Sequence, residues 1–296
     1  MPQITQYVSP TECLFLIQNA KEEDMGPGSI DITSQTFIEP TRMAKATFRS
    51  RKEGKLCGGA LLQWVARIYD TQLQVTEHMA DGDTLTPGCE IATVTGPLRS
   101  ILSFERVALN FMTHLSGIAS MTWQFVKLTE GTNAGIYDTR KTIPGLRSLA
   151  KYAVVCGGGQ NHRIGLYDAI LIKDNHIAHI PLEQLGDALK ASFATVRQTE
   201  NPPKFIEVEV DTLEQLKRVL DCGVDMVLLD NMDCDTLKQA VAIRDKLAPN
   251  VQLEASGTVN LQTVGNIAKT GVDRISVGAI THSAPTLDIG LDIIEQ

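Results

Sequence analysis

The sequence predicts an α/β protein in two parts: an N-terminal α/β domain with an antiparallel sheet, then an incomplete parallel α/β barrel of fewer than eight strands. Two observations predict it. Up to about residue 104, short alternating stretches are punctuated by turn formers, whereas the rest of the chain alternates brief apolar runs with helical segments. In the last third, strand and helix recur about every 20–26 residues, the texture of parallel strands joined by right-handed crossovers.

Taken in order, the apolar spacing predicts an opening helix near residues 11–21. Asp81-Gly82-Asp83 and Thr86-Pro87-Gly88 are turn formers, and residues 90–95 alternate as a half-exposed strand does. From Phe104, helical spacing runs through Ala108, Phe111, Met112, Leu115, Ile118 and Ala119 to Phe125 and Val126, with an interruption expected at Gly117. Six strands follow, at residues 135–138, 168–173, 205–210, 226–230, 252–256 and 274–277. After the third, Asp211 is the expected N-cap, with Glu214 completing a capping box, Leu213, Leu216, Val219 and Leu220 as the buried stripe, and Gly223 as terminator. The next helix has Leu237, Val241 and Leu247. The last has Asn260 as cap, Leu261, Val264, Ile267 and Ala268 as stripe, and Gly271 as stop. No Gly-x-Gly-x-x-Gly follows the first of these strands, which favours the barrel over an open dinucleotide-binding sheet. The domains are expected at residues 1–114 and 115–282, with a tail, 283–296, packing back on the first.

The chain has 27 Lys plus Arg against 35 Asp plus Glu, a net charge of −8 over 296 residues. That balance argues against nucleic acid as a partner, since such binding draws on surplus Lys and Arg facing phosphates. No apolar run approaches the roughly 18–20 residues that span a bilayer, and residues 1–11 carry no secretory pattern, so neither a membrane nor secretion is expected and a cytoplasmic location is. The six cysteines show no Cys-x-x-Cys pair or zinc-ligand spacing and read as reduced packing residues.

Parallel barrels collect chemistry at the C-terminal ends of their strands. Those ends carry Asp138-Thr139-Arg140-Lys141, Lys173-Asp174-Asn175-His176, Glu209, Asp230-Asn231, Ser256-Gly257-Thr258 and Gly278-Ala279. Residues 139–177 hold Arg140, Lys141, Arg147, Lys151, Arg163 and Lys173, with His162 and His176, against only Asp168 and Asp174. A cationic stretch in an acidic chain suits a small polyanion, because guanidinium forks match carboxylates and phosphates. Glu209 and Asp230 end successive strands and suit Mg²⁺, a hard cation that takes oxygen ligands. Salt bridges to neighbouring lysines are the alternative reading of both. His162 and His176 lack a third ligand for zinc.

The run Asp138-Thr139-Arg140-Lys141-Thr142-Ile143-Pro144-Gly145-Leu146-Arg147, then Lys151-Tyr152-Ala153-Val154, Gly157-Gly158-Gly159-Gln160-Asn161-His162-Arg163 and Leu171-Ile172-Lys173-Asp174-Asn175-His176-Ile177, closely resembles quinolinate phosphoribosyltransferase. Glu105-Arg106-Val107-Ala108-Leu109-Asn110, Glu207-Val208-Glu209-Val210-Asp211, Leu228-Leu229-Asp230-Asn231-Met232 and Ser276-Val277-Gly278-Ala279 carry the likeness across nearly the whole chain. The resemblance implies a pentosyltransferase that converts quinolinate and phosphoribosyl pyrophosphate to nicotinate mononucleotide, pyrophosphate and carbon dioxide in de novo NAD biosynthesis, with Mg²⁺. It implies an N-terminal sandwich domain, a partly open barrel, and a homodimer with shared sites, a hexamer being the other assembly.

By the same resemblance, Arg106 reaches a quinolinate carboxylate from the partner, and Arg140, His162, Arg163 and Lys173 complete a cationic pocket with Thr139 at the same strand end. Lys141 and Lys173 face phosphoribosyl pyrophosphate, Glu209 and Asp230 hold ribose hydroxyls and, through water, Mg²⁺, and Ser256-Gly257-Thr258 with Gly278-Ala279 cradle the 5-phosphate. Lys173, Arg140, Lys141, Glu209 and Asp230 are the catalytic candidates. Thr258 stands where relatives often have a second Gly; a β-branched residue restricts that turn, though its hydroxyl can donate to phosphate. The other readings are a molybdenum-transport-associated phosphoribosyltransferase-like protein and a non-catalytic anion-binding relative.

Overall fold

The computed structural model describes residues 2–295, the side chain of Glu295 excepted. In chain order the elements are α1 (Pro10–Met25), α2 (Ile32–Phe37), β1 (Met43–Ser50), β2 (Gly54–Lys55), α3 (Leu62–Tyr69), β3 (Gln74–Glu77), β4 (Thr84–Leu85), β5 (Glu90–Pro97) and α4 (Leu98–Thr129). Then come β6 (Gly135–Tyr137), α5 (Arg147–Cys156), β7 (Ile170–Ile172), α6 (Asp174–Ile177), α7 (Leu182–Val196), β8 (Ile206–Val210), α8 (Leu213–Val219) and β9 (Met226–Asp230). The chain closes with α9 (Cys234–Leu247), β10 (Gln252–Ser256), α10 (Val264–Ala268), β11 (Arg274–Ser276), α11 (Ala279–His282) and β12 (Ile289–Glu295). They form two compact units, one of Met1–Trp123, Thr142–Gly158 and Ile280–Gln296, the other of Gln124–Lys141 and Gly159–Ala279.

The first unit is built on an antiparallel sheet ordered β12-β1-β5-β3. Its core joins Phe48 and Val94 of the sheet to Ile17 of α1, Val65 of α3 and Ile101, Phe104 and Met112 of α4. Phe48 and Phe104 meet edge to face at 6.0 Å. The half-exposed strand expected at 90–95 is instead buried from Ile91 to Val94, because β5 lies between β1 and β3 with its faces covered. α1 is longer than the expected 11–21: the Ser9 hydroxyl accepts from the Glu12 N–H, Pro10 opens the helix, and Gly26, at φ +68, closes it.

The interruption expected at Gly117 does not occur; α4 runs unbroken through 32 residues. A Cβ at Gly117 would stand 2.2 Å from the Pro285 carbonyl oxygen, so this glycine serves close backbone approach.

The second unit is a six-stranded parallel sheet ordered β6-β11-β10-β9-β8-β7, an incomplete α/β barrel. β8 and β9 are almost entirely buried, as expected of parallel strands covered on both faces. The registers put Leu171, Glu207 and Met226 side by side, then Glu209, Leu228 and Glu254, then Asp230 beside Ser256 and Glu254 beside Arg274. Strand side chains alternate faces, so these residues share one face of the sheet.

Helix termini correct the expected caps in two places. Thr212, not Asp211, caps α8: its hydroxyl accepts the Gln215 N–H at 3.2 Å, and the Gln215 Oε1 accepts from both Thr212 and Asp211 backbone N–H groups. The box therefore uses Gln215, and Glu214 stands in the first turn beside Lys217 and Arg218, at 3.5 and 3.7 Å. Leu247 is exposed rather than part of the α9 stripe. Arg244 takes that buried place, donating to the Val251 carbonyl at 2.8 Å and pairing with Asp273 at 2.6 Å. Asn260 is not the cap of α10, which starts at Val264 after Thr263; its side chain instead accepts from the Gln262 and Thr263 N–H groups of the preceding turn, and Gly223 and Gly271 adopt φ +82 and +94. All six cysteines are free. Among the described residues no helix is long and apolar enough to cross a membrane.

Candidate active site

A cavity of about 580 Å³ opens at the C-terminal ends of the parallel strands, entirely within the second unit. Of the residues predicted for the site, Thr139, Arg140, Lys141, His162, Arg163, Lys173, Glu209, Asp230, Ser256, Gly257, Thr258 and Gly278 line it. Ala279 does not; it begins α11 one residue beyond the wall. Arg106 is exposed on α4 in the first unit and is not a lining residue.

Buried carboxylates shape the loops that carry the cations. Asp138, at the end of β6, accepts the Asn161 Nδ2 and His162 N–H, each at 2.8 Å, tying the Arg140 turn to the segment carrying His162 and Arg163. The Thr139 hydroxyl accepts the Lys141 N–H, closing that turn. Asp168 accepts the Ile164 and Gly165 N–H groups at 2.9 and 3.0 Å; burial opposes its charge, but these bonds hold its carboxyl below the usual range.

The cations differ in setting. Arg140, Lys141 and Lys173 reach solvent, and Lys173 Nζ lies 2.8 Å from Glu209 Oε2. Arg163 is buried and donates to the Ala169 carbonyl at 3.2 Å. Burial first, then the neighbouring Arg140 charge, pulls its pKa down, so two guanidinium charges crowd one wall. A dianion entering there would relieve that repulsion.

His162 lines the cavity and turns both ring nitrogens to protein partners. The backbone N–H of Arg163 donates to its Nδ1 at 2.8 Å, and a peptide N–H can only donate, so Nδ1 carries the lone pair. Nε2 then bears the proton and donates to Glu207 at 2.9 Å, with Glu254 at 3.5 Å. A protonated nitrogen does not ligate metal. His162, Glu207 and Glu254, which lie close enough together for a metal site, are therefore a hydrogen-bonded cluster.

Sequence reasoning missed that cluster. Glu207 and Glu254 are wholly buried, and Arg274, nearly so, donates from Nε to Glu254 at 2.7 Å while its guanidinium stacks 3.6 Å from the Tyr137 ring. Burial pushes the Glu207 carboxyl up to about 7, against the pull of Arg274 and Arg163. Glu254 reaches about 7 through burial and Glu207. One oxygen of each carboxylate and Arg274 Nη2 make no hydrogen bond to any described residue. The available signal was period two: Glu207 precedes Glu209 on the same strand face and lies about 6.6 Å deeper.

Glu209 and Asp230 stand on adjacent strands at the cavity, with one oxygen of each held by Lys173 and by Asn231 respectively. Two carboxylates with no sulfur or nitrogen ligand beside them form a hard donor set, which fits Mg²⁺ bound through part of its water shell. Ser256-Gly257-Thr258 and Gly278 complete the mouth, and Gly257, at φ +121, takes a conformation that side chains rarely adopt.

Family models match both parts of the chain: "Quinolinate phosphoribosyl transferase, N-terminal domain" over residues 31–116 and the C-terminal domain over residues 118–292. The chain is 42% identical over 279 residues to the nicotinate-nucleotide pyrophosphorylase (carboxylating) of Mycobacterium leprae, covering 94% of this chain and 95% of that protein. It is also 42% identical over 272 residues to a Bacillus subtilis protein named "Probable nicotinate-nucleotide pyrophosphorylase [carboxylating]", covering 92% and 90%. The solved nicotinate-nucleotide pyrophosphorylase of Francisella tularensis superposes with a TM-score of 0.89 at 37% identity, over 99% of this chain and all of that one.

Proposed function

The chain belongs to the quinolinate phosphoribosyltransferase family, and from that premise we infer that the cavity transfers phosphoribose from phosphoribosyl pyrophosphate to quinolinate with loss of carbon dioxide. The products are nicotinate mononucleotide and pyrophosphate, a pentosyl transfer in NAD biosynthesis. One observation carries the reading: a single barrel mouth gathers the cations, an oxygen-donor pair and two phosphate-type turns.

Arg140, Arg163 and Lys173 hold the two carboxylates of quinolinate, guanidinium forks pairing with carboxylate oxygens. Ser256, Gly257, Thr258 and Gly278, with Ala279 at the start of α11, receive the 5-phosphate through backbone N–H groups. Glu209 and Asp230 orient the ribose hydroxyls, and Lys141 faces the pyrophosphate. Bound with that substrate, Mg²⁺ held through water by Glu209 and Asp230 would neutralise charge on the leaving pyrophosphate.

With both substrates held, the pyridine nitrogen faces the ribosyl carbon, and positioning rather than covalent help lowers the barrier. As the nitrogen becomes positive, the adjacent carboxylate leaves as carbon dioxide, and the ring carbon that keeps the electron pair takes a proton from solvent. His162, bonded to the Arg163 N–H and to Glu207, fixes the main chain at Arg163.

Purified protein with Mg²⁺ and phosphoribosyl pyrophosphate is expected to release carbon dioxide and nicotinate mononucleotide from quinolinate and nothing from nicotinate. Product from nicotinate alone would retain the transferase and remove decarboxylation. Silence with both, from folded protein, would favour the molybdenum-associated or non-catalytic reading. Omitting Mg²⁺ in the presence of a chelator tests the metal, with loss of turnover expected.

The proposed assembly is a homodimer in the cytoplasm, Arg106 of the partner subunit completing each site. Mixing Arg106→Ala and Lys173→Ala chains should then restore about a quarter of wild-type activity in the heterodimer-containing pool, because random pairing makes half the dimers mixed, each with one intact site. No recovery after heterodimers are demonstrated would refute the shared site.

A further inference from the structure

We propose that Asn231 is a positioning residue that locks the Asp230 carboxylate to the Ser256–Gly257 turn, so that the ribose and 5-phosphate subsites for phosphoribosyl pyrophosphate form one rigid element. The inference rests on the functional reading above and extends it to a cavity-lining residue to which no role was assigned.

Four independent features converge on this side chain. Asn231 has φ +52, a left-handed conformation that Asn tolerates better than most residues and that aims its side chain back across the strand end. Its Nδ2 donates to Asp230 Oδ2 at 2.8 Å. Its backbone N–H donates to the Ser256 carbonyl at 3.0 Å, across to the neighbouring strand. A Cβ built on Gly257 would stand 2.3 Å from Asn231 Oδ1 and 3.0 Å from its Cα, so the amide occupies the space that Gly257 leaves.

The direction of the Asp230 bond matters chemically. A carboxylate at a cavity mouth can rotate, and each rotamer offers its oxygens differently. The amide donor fixes one oxygen and thereby sets the direction of the other. The same amide lies against Gly257, so displacing the phosphate turn displaces the acid. A ligand with both a 5-phosphate and ribose hydroxyls meets donors and acceptors already set at one spacing, which lowers the ordering cost of binding. A pure backbone role at φ +52 would be served as well by Gly, whereas the proposal requires the amide.

That difference supplies the test. Asn231→Gly keeps the backbone freedom, and its urea-unfolding stability should equal or exceed that of the wild type. Its Kd for phosphoribosyl pyrophosphate by titration calorimetry, and the corresponding KM, should rise about threefold to tenfold, the cost of ordering on binding a side chain that the amide no longer holds. The Kd for quinolinate should change less than about twofold. Asn231→Asp, which puts a carboxylate against Asp230, should be at least as weak.

Gly257→Ala should lose more affinity in the wild-type background than in Asn231→Gly, because the closest clash is with the amide, while the φ cost and the 3.0 Å approach to the residue 231 Cα are common to both. Unchanged phosphoribosyl pyrophosphate affinity in Asn231→Gly, with wild-type protein binding normally, would overturn the proposal. Wild-type protein that does not bind this ligand at all would overturn the functional reading first.

Discussion

Lys173→Ala is expected to lower kcat/KM for quinolinate by about a hundredfold to a thousandfold, the usual effect of removing one preorganised charge from a transition-state site. Lys173 lies at the end of β7, reaches solvent, and is held over the cavity by Glu209 at 2.8 Å. In the proposed reading it serves both the substrate carboxylates and the pyrophosphate. Arg140→Ala should match it, since Arg140 and Arg163 together set the field that favours a dianion. Folding should survive both changes. The Lys173–Glu209 pair is exposed on the lysine side, and surface ion pairs contribute about 0–1 kcal/mol. Steady-state rates and urea melts on the same samples decide the matter; a purified, folded Lys173→Ala enzyme with near-normal turnover would remove Lys173 from the mechanism.

Arg274→Ala is expected to cost about 3–5 kcal/mol of stability, the penalty for leaving a buried charge without its partner. Arg274 is the donor to Glu254 at 2.7 Å, and it opposes the upward pKa shift of both Glu254 and Glu207. Without it, both folded-state pKa values rise further above that of an unfolded glutamate. A carboxyl whose folded pKa is raised binds its proton more readily in the native state, so the native state is favoured at low pH and loses that advantage as pH rises. The deficit should therefore be small near pH 5, where both acids can be protonated, and grow as pH rises past about 7. Urea unfolding at several pH values measures it. A loss below about 1 kcal/mol at pH 8 would show that the cluster relaxes or takes in solvent when the guanidinium is removed.

Much of the barrel was legible because its units are local. Each strand is a short apolar run, each helix carries caps and a stripe, and each strand end is marked by a polar residue. Residues 226–230 and 252–256 were expected as strands and form β9 and β10 with those bounds. The misses have local causes too. Asp211 and Thr212 are both good caps, and only the extended conformation at Thr212 selects between them. Gly117 looks like a helix breaker until Pro285 is seen against it. At the site, residue types announced a polyanion pocket, yet they could not reveal that His162 spends both ring nitrogens on Arg163 and Glu207.

The sequence by itself determined the fold class, the family and the collection of cations and carboxylates at the strand ends, because period, turn chemistry and motif order are written along the chain. Tertiary structure alone decided which of two carboxylates two residues apart reaches solvent and which is buried. Glu207 and Glu209 share a face of β8, yet only Glu207 is enclosed with Glu254 and Arg274. Likewise Asn231 acquires its place only when Gly257, 26 positions along the sequence, is brought against it. The physical reason is common to both: burial and hydrogen bonding depend on neighbours across strands, and a parallel sheet takes those neighbours from distant parts of the chain.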